Sequence, residues 1–198
     1  MTMAPGGYGT GARLFHWVVA VLVLIQIVAG IAMTSEPLTN WTAPVYLYHK
    51  GAGAVLLVIV LARAAWRLTH RPPPFPDYMP SLEQRIANAT HVTIYVVLVA
   101  MVVSGYVHTV GGGFPIEMLD ALGIPPLIPN VPRIAQAMLV VHEFAAVALV
   151  GLVAVHVSAV LRHQLIERNP ILARMWPPVG APTSMDSRGS AGDSERDS

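Results

Sequence analysis

Four long stretches of this sequence carry almost no charge, and a chain with four such stretches has few ways to fold. Between Arg13 and Glu36 lie 22 residues whose one ionisable side chain is His16. A second stretch follows Lys50 to Arg63 and Arg67, and reaches spanning length when counted from about Tyr46. The third extends from Ile86 to about Val110, and the fourth from Ile134 to Leu161, interrupted at His142 and Glu143. A bilayer core of ~30 Å is crossed by ~20 residues of helix, so each stretch is long enough. Lipid offers backbone groups no hydrogen-bond partners, which predicts helices packed against one another. The expected fold is all-α: an integral membrane four-helix bundle. A basic residue precedes the first stretch, as in a secretory signal. Its length, its interruptions at His16 and Gln26 and the lack of a clear A-x-A site favour a retained helix.

Composition narrows the chemistry. Charged residues are 12% of the chain and apolar ones 54%, where about a quarter would be charged in a soluble domain. The net charge of +1 gives no field to recruit nucleic acid. Cysteine is absent, which removes disulfides, thiolate metal sites and covalently attached haem. A cofactor must therefore be held by His, Met, carboxylates or backbone.

Basic residues give an orientation. Arg13, Arg63, Arg67, Arg71, Arg85, Arg162, Arg168, Arg174, Arg188 and Arg196 fall on one side if the helices alternate, leaving Lys50 and Arg133 on the other. The positive-inside rule then places both termini in the cytoplasm. The connection His70–Pro80, with Pro72, Pro73 and Pro74, is expected to be a stiff cytoplasmic loop. The opposite loop, Gly111 to Pro132, is rich in Gly and Pro. One domain is expected over 10–178, followed by a disordered polar tail over 179–198.

Eight histidines carry the chemistry, because ionisable groups inside a membrane are costly and by default functional. His16 starts the first helix, His49 the second from the other side, and His91 the third. His142 and His156 share the fourth helix, fourteen residues apart. That spacing is ~21 Å of rise and a net rotation of only ~40°, so both rings leave one face at different depths. Two pairs at matched depth follow, His49 with His142 and His16 with His156. Imidazoles on either side of a planar ring are what a bis-His haem requires, so these four are the candidate axial ligands of two haems b.

Plainer readings exist for each. His16 and His49, taken singly, suit interfacial rings among headgroups. His163, two turns beyond His156, is either such a residue or part of a site. His91 has no haem partner. His70 and His108 are expected to be solvent exposed. Arg63 and Arg67 suit haem propionates as well as a simple positive-inside role.

Certain segments resemble the prokaryotic cytochrome b561 family. They are Arg13-Leu14-Phe15-His16-Trp17, Tyr48-His49-Lys50-Gly51, Thr90-His91-Val92-Thr93-Ile94-Tyr95, Val141-His142-Glu143-Phe144, Ala154-Val155-His156, and Asn169-Pro170-Ile171-Leu172-Ala173-Arg174-Met175. The resemblance covers roughly residues 10 to 178. It implies that His16 and His156 bind one haem b and that His49 and His142 bind the other, the pairing already reached from depth. In size and in six histidines the chain is similar to the superoxide oxidase branch. That likeness implies electron transfer from periplasmic superoxide through both haems to ubiquinone, with His91 and His163 lining the quinone site, in a bacterial inner membrane. An anionic substrate favours basic residues on the outer side, where only Lys50 and Arg133 are available. Two other functions fit the residues: a cytochrome b relay subunit serving a dehydrogenase, hydrogenase or periplasmic redox protein, and a metal transporter using His ligands. Transport usually also needs intramembrane carboxylates, and Glu143 is the one clear example.

Overall fold

A computed structural model describes residues 7–34 and 42–176, so the expected tail over 179–198 lies outside the described residues. Four helices are long and apolar enough to cross a membrane: α1 (Thr10–Thr34), α2 (Thr42–Thr69), α3 (Ser81–Gly111) and α5 (Pro132–Leu161). The short α4 (Glu117–Ala121) lies in the connection between α3 and α5. No strand occurs among the described residues.

Each spanning helix begins where the sequence supplies a permitted start. Pro132 is the first residue of α5, where a missing N–H costs nothing and the fixed φ suits a helix. Pro44 falls in the first turn of α2, where proline is likewise tolerated. Pro80 directly precedes α3. The consequence is that α2 and α3 start earlier than their uncharged stretches. His49 and His91 therefore sit at least two turns inside their helices rather than at the ends.

Residues 111–132 are more structured than their Gly and Pro content suggests. Gly113 and Gly123 adopt positive φ, +81° and +68°, a region that glycine enters without steric cost. They bracket α4, which docks on α2. Lys50 Nζ donates to the carbonyl of Pro115 and to Glu117 Oε1, both at 2.8 Å. A Cβ on Gly51 would stand 3.4 Å from Met118 Cβ, so the glycine lets the two helices meet. The Lys50 ammonium draws the Glu117 carboxyl below its usual range.

The bundle packs most closely along α3 and α5, then α1 with α2 and α2 with α3. Toward α1 and α2 the α5 backbone stands farther off. Mid-bundle, Val19, Val23, Leu56, Val60, Leu98, Val102 and Leu149 form one apolar cluster drawn from all four spanning helices. Outward faces are apolar and exposed, for example Val28, Val58, Val96 and Val147, as lipid contact demands. Both ends of the described chain meet on one side. Trp17 Nε1 donates to Met175 O at 2.8 Å, and Arg13 donates to Tyr8 O and Trp176 O.

Candidate functional site

The histidines fall into two layers, separated by that apolar cluster. On α5, Leu149 lies seven residues from both His142 and His156, and on α2, Leu56 lies seven residues after His49. Two turns of helix on either side thus carry an imidazole, with an aliphatic plug between.

The layer far from the chain ends holds His49 and His142, ring centres 6.2 Å apart. The layer near the chain ends holds His16 and His156, ring centres 6.4 Å apart. Two imidazoles binding one metal from opposite sides, each nitrogen about 2 Å from it, have ring centres roughly 6 Å apart. Both pairs bridge the sides on which α5 stands off from α1 and α2. The pairs anticipated from depth are the ones the fold brings together.

Their surroundings differ. His142 Nδ1 donates to the Met101 carbonyl at 2.9 Å, leaving Nε2 as the lone-pair nitrogen. This is the usual outer-shell arrangement of a metal-binding imidazole. Gly105 makes space for the ring, since a Cβ there would lie 2.9 Å from His142 Cε1. Gly30 also faces His49, although a Cβ there would make only ordinary contact, 3.7 Å from Cε1. His49 Nδ1 and Gln26 Oε1 are buried without a hydrogen-bond partner, while Gln26 Nε2 donates to His49 O at 2.9 Å. An orphaned ring nitrogen inside a glycine-lined cradle fits residues shaped around a bound group. The far layer therefore fits a haem well.

The near layer gathers more imidazoles and a guanidinium. His91, on α3, sits 5.5 Å from His156, so three imidazoles converge there. Arg63 Nη2 lies 3.3 Å from His16 Nδ1 and its guanidinium is 5.5 Å from the Tyr95 ring centre. Because arginine can only donate, His16 Nδ1 accepts this bond. A metal on Nε2 requires Nδ1 to donate instead, so with a bound group Arg63 must turn to another acceptor, and a propionate suits it. Arg67 is close enough for its charge to act on His91.

His163 lies apart from both layers. A π-helical turn, Arg162–Ile166, ends α5, so the regular spacing from His156 no longer sets its direction. His163 Nδ1 lies 2.6 Å from Glu167 Oε2, and Asn169 Nδ2 donates to the same oxygen at 3.1 Å. Arg162 spans Glu167 Oε1 at 2.5 Å and Glu83 Oε1 at 3.4 Å, so this cluster of Glu83, His163 and Glu167 already has an internal cation. A cavity of ≈ 150 Å³ opens between these residues and Tyr78, Met79 and Pro80. His91 and His163, grouped by the family resemblance, thus sit in different clusters.

The remaining expectations divide. His70 is exposed as anticipated, stacked on Trp66 at 3.8 Å. His108 is half-buried rather than exposed, its Nδ1 donating to Ala135 O at 3.1 Å. Its place at the end of the third stretch did not reveal that α5 passes alongside. Arg133 is exposed and Lys50 is committed to α4. On that side a larger cavity, ≈ 340 Å³, is lined by Tyr106, Phe114, Ile116, Leu119, Asp120 and Asn130 among others. Sequence reading missed the Met101 carbonyl and the Glu167 partner. A backbone acceptor has no sequence signature, whereas Glu167, four residues after His163, stands at the ordinary helical pairing distance that could have signalled it.

Paired intramembrane imidazoles in a four-helix bundle define a class of membrane protein whose helices carry histidines able to bind a metal cofactor. The chain belongs to the prokaryotic cytochrome b561 family, whose model matches residues 7–178. It is similar to cytochrome b561 homolog 2 of Escherichia coli (strain K12), with 29% identity over 176 residues, 88% of this chain and 93% of that protein. Membership implies haem b and transmembrane electron transfer.

Proposed function

We propose that the chain carries two haems b, ligated by His49 with His142 and by His16 with His156, and moves electrons from superoxide outside the cytoplasm to ubiquinone. The observation that carries this reading is the pair of facing imidazoles in each layer, at 6.2 Å and 6.4 Å. Bound there, the haems supply one-electron transfer with both axial positions filled. The basic residues orient the chain ends toward the cytoplasm of a bacterial inner membrane.

Each part of the chain then has a task. The Met101 carbonyl fixes the His142 tautomer. The Leu56, Leu98 and Leu149 plug keeps water from the space between the layers. Arg63 neutralises anionic groups in the near layer. His91 and His163 serve quinone reduction, where an imidazole near neutral pH can donate a hydrogen bond or a proton. On the outer side Lys50 and Arg133 are the basic residues available to attract an anion.

The test is a pyridine haemochrome assay on the detergent-purified chain, followed by superoxide-driven reduction of a short-chain ubiquinone. Two haems b per chain and quinone turnover by the isolated protein support the reading. Two haems without turnover favour the relay subunit, and no haem from cells that make it freely overturns the proposal.

A further inference from the structure

We propose that Glu167 is a positioning residue for His163: it holds the ring with Nδ1–H on its carboxylate and reserves Nε2 for proton exchange with a quinone carbonyl. This rests on the reading above that quinone is reduced on the cytoplasmic side.

His163 and Glu167 stand at the i,i+4 spacing that pairs side chains along a helix, and the local backbone adds further donors to that pair. Continued as a regular helix, α5 would turn residue 163 to the face of His156. The π turn over Arg162–Ile166 widens that last stretch, and such turns often occur at functional sites. Arg168 then adopts φ +55°, which is uncommon for a side chain other than glycine or asparagine. The reversal lets Asn169 N–H reach the His163 carbonyl at 2.8 Å while its side chain donates to Glu167 Oε2. Two departures from regular backbone thus converge on a single carboxylate.

That carboxylate has both oxygens engaged by donors. Oε2 receives His163 Nδ1 and Asn169 Nδ2, and Oε1 receives Arg162. Partial burial works against its charge, but His163, Arg162 and Asn169 outweigh this and hold the carboxyl below its ordinary range. An ionised carboxylate only accepts, so Nδ1 of His163 must donate. In the neutral ring Nε2 is then bare, and in the doubly protonated ring it carries the transferable proton. Carboxylate–imidazole pairs in hydrolases work by the same logic. The other polar or charged groups around the ring are Glu83 on α3, Tyr78 in the preceding connection, and Arg162 and Asn169.

The step balances as follows. Two superoxide anions are oxidised to two O2 and supply two electrons. The quinone takes up these electrons and two protons to become quinol. One proton passes from His163 Nε2 to a carbonyl oxygen and the ring is reprotonated from cytoplasmic water, while the second proton reaches the other carbonyl oxygen from cytoplasmic water.

The test uses the haem-loaded full chain in lipid vesicles, comparing wild type with Glu167→Gln. Histidines labelled with 15N report the tautomer by solid-state NMR, the His163 signal being assigned by its loss in His163→Gln. We expect the Nδ1–H form in wild type and its loss or mixing in Glu167→Gln. Reduction of a short-chain ubiquinone should fall on the order of 10- to 100-fold, with KM and haem spectra unchanged. An Nε2–H tautomer in wild type, or an unchanged tautomer in Glu167→Gln, overturns the proposal. If wild type has the expected tautomer and Glu167→Gln loses it, yet wild type reduces no quinone, the quinone reading fails and the positioning contact stands. Should Glu167→Gln not fold, Glu167→Asp keeps the charge but shortens its reach, and the same tautomer change is expected.

Discussion

The far and near histidine layers present facing imidazoles at nearly the same separation, 6.2 Å and 6.4 Å, in very different surroundings. His142 in the far layer is held by a backbone carbonyl, and Gly105 makes room beside its ring. The near layer has a third imidazole within 5.5 Å of His156 and a guanidinium 3.3 Å from His16. Similar ligand geometry therefore does not mean similar chemistry. Haem potential depends on nearby charge and hydrogen bonding as well as on the axial ligands. A positively charged neighbourhood would favour the reduced state of a haem held there, so on the proposed reading the near centre is the better electron acceptor.

The strongest way to break this comparison is to remove ligands one layer at a time. His49→Ala or His142→Ala should take bound haem from two per chain to one and spare the near layer. His16→Ala or His156→Ala should do the converse, as read by haemochrome stoichiometry and by which spectral component disappears. Full haem content in any of the four variants would remove that residue from the ligand set.

A steric test distinguishes the layers without touching a ligand. Gly105→Val would drive side-chain atoms into His142. It should abolish most of the far haem and leave the near one, in the same assay. His91→Ala then asks what the third near imidazole does. We expect both haems to remain and quinone reduction to slow by about tenfold or more, within the range for lost acid–base assistance. Loss of the near haem instead would make His91 a ligand.

Smaller effects are expected from charge. Arg63→Gln should lower the potential of the near centre selectively, by roughly 60 mV, equivalent to a tenfold shift for a one-electron couple. Redox titration of the two components would expose an equal shift of both, which would contradict the asymmetry. Least of all, Lys50→Gln should change the thermal midpoint by only about a degree or two, as exposed ion pairs do. The depressed Glu117 carboxyl means that this contribution is present above the ordinary carboxylate range and is lost as the pH falls through it. The difference between variant and wild type should accordingly vanish in acid.

Much of this was legible in residue order. The four uncharged stretches became α1, α2, α3 and α5 because length and apolarity alone satisfy a bilayer. The pairing of His142 and His156 with partners at matched depth followed from helical rise and rotation. Boundaries were less legible: prolines at 44, 80 and 132 start helices ahead of the apolar runs, which moved His49 and His91 inward. His108 was misread because its environment depends on a helix 27 residues away in the chain.

The sequence by itself determined the number of spans, the all-α class and the depths of the ring-bearing positions, since these depend on local periodicity and on the solvent a membrane provides. Only the tertiary structure decided which groups stand beside each ring. It set His91 against His156, the Met101 carbonyl under His142 and Arg63 on His16. Those neighbours arrive from other helices, and a linear pattern carries no record of contacts made across helices or by backbone groups.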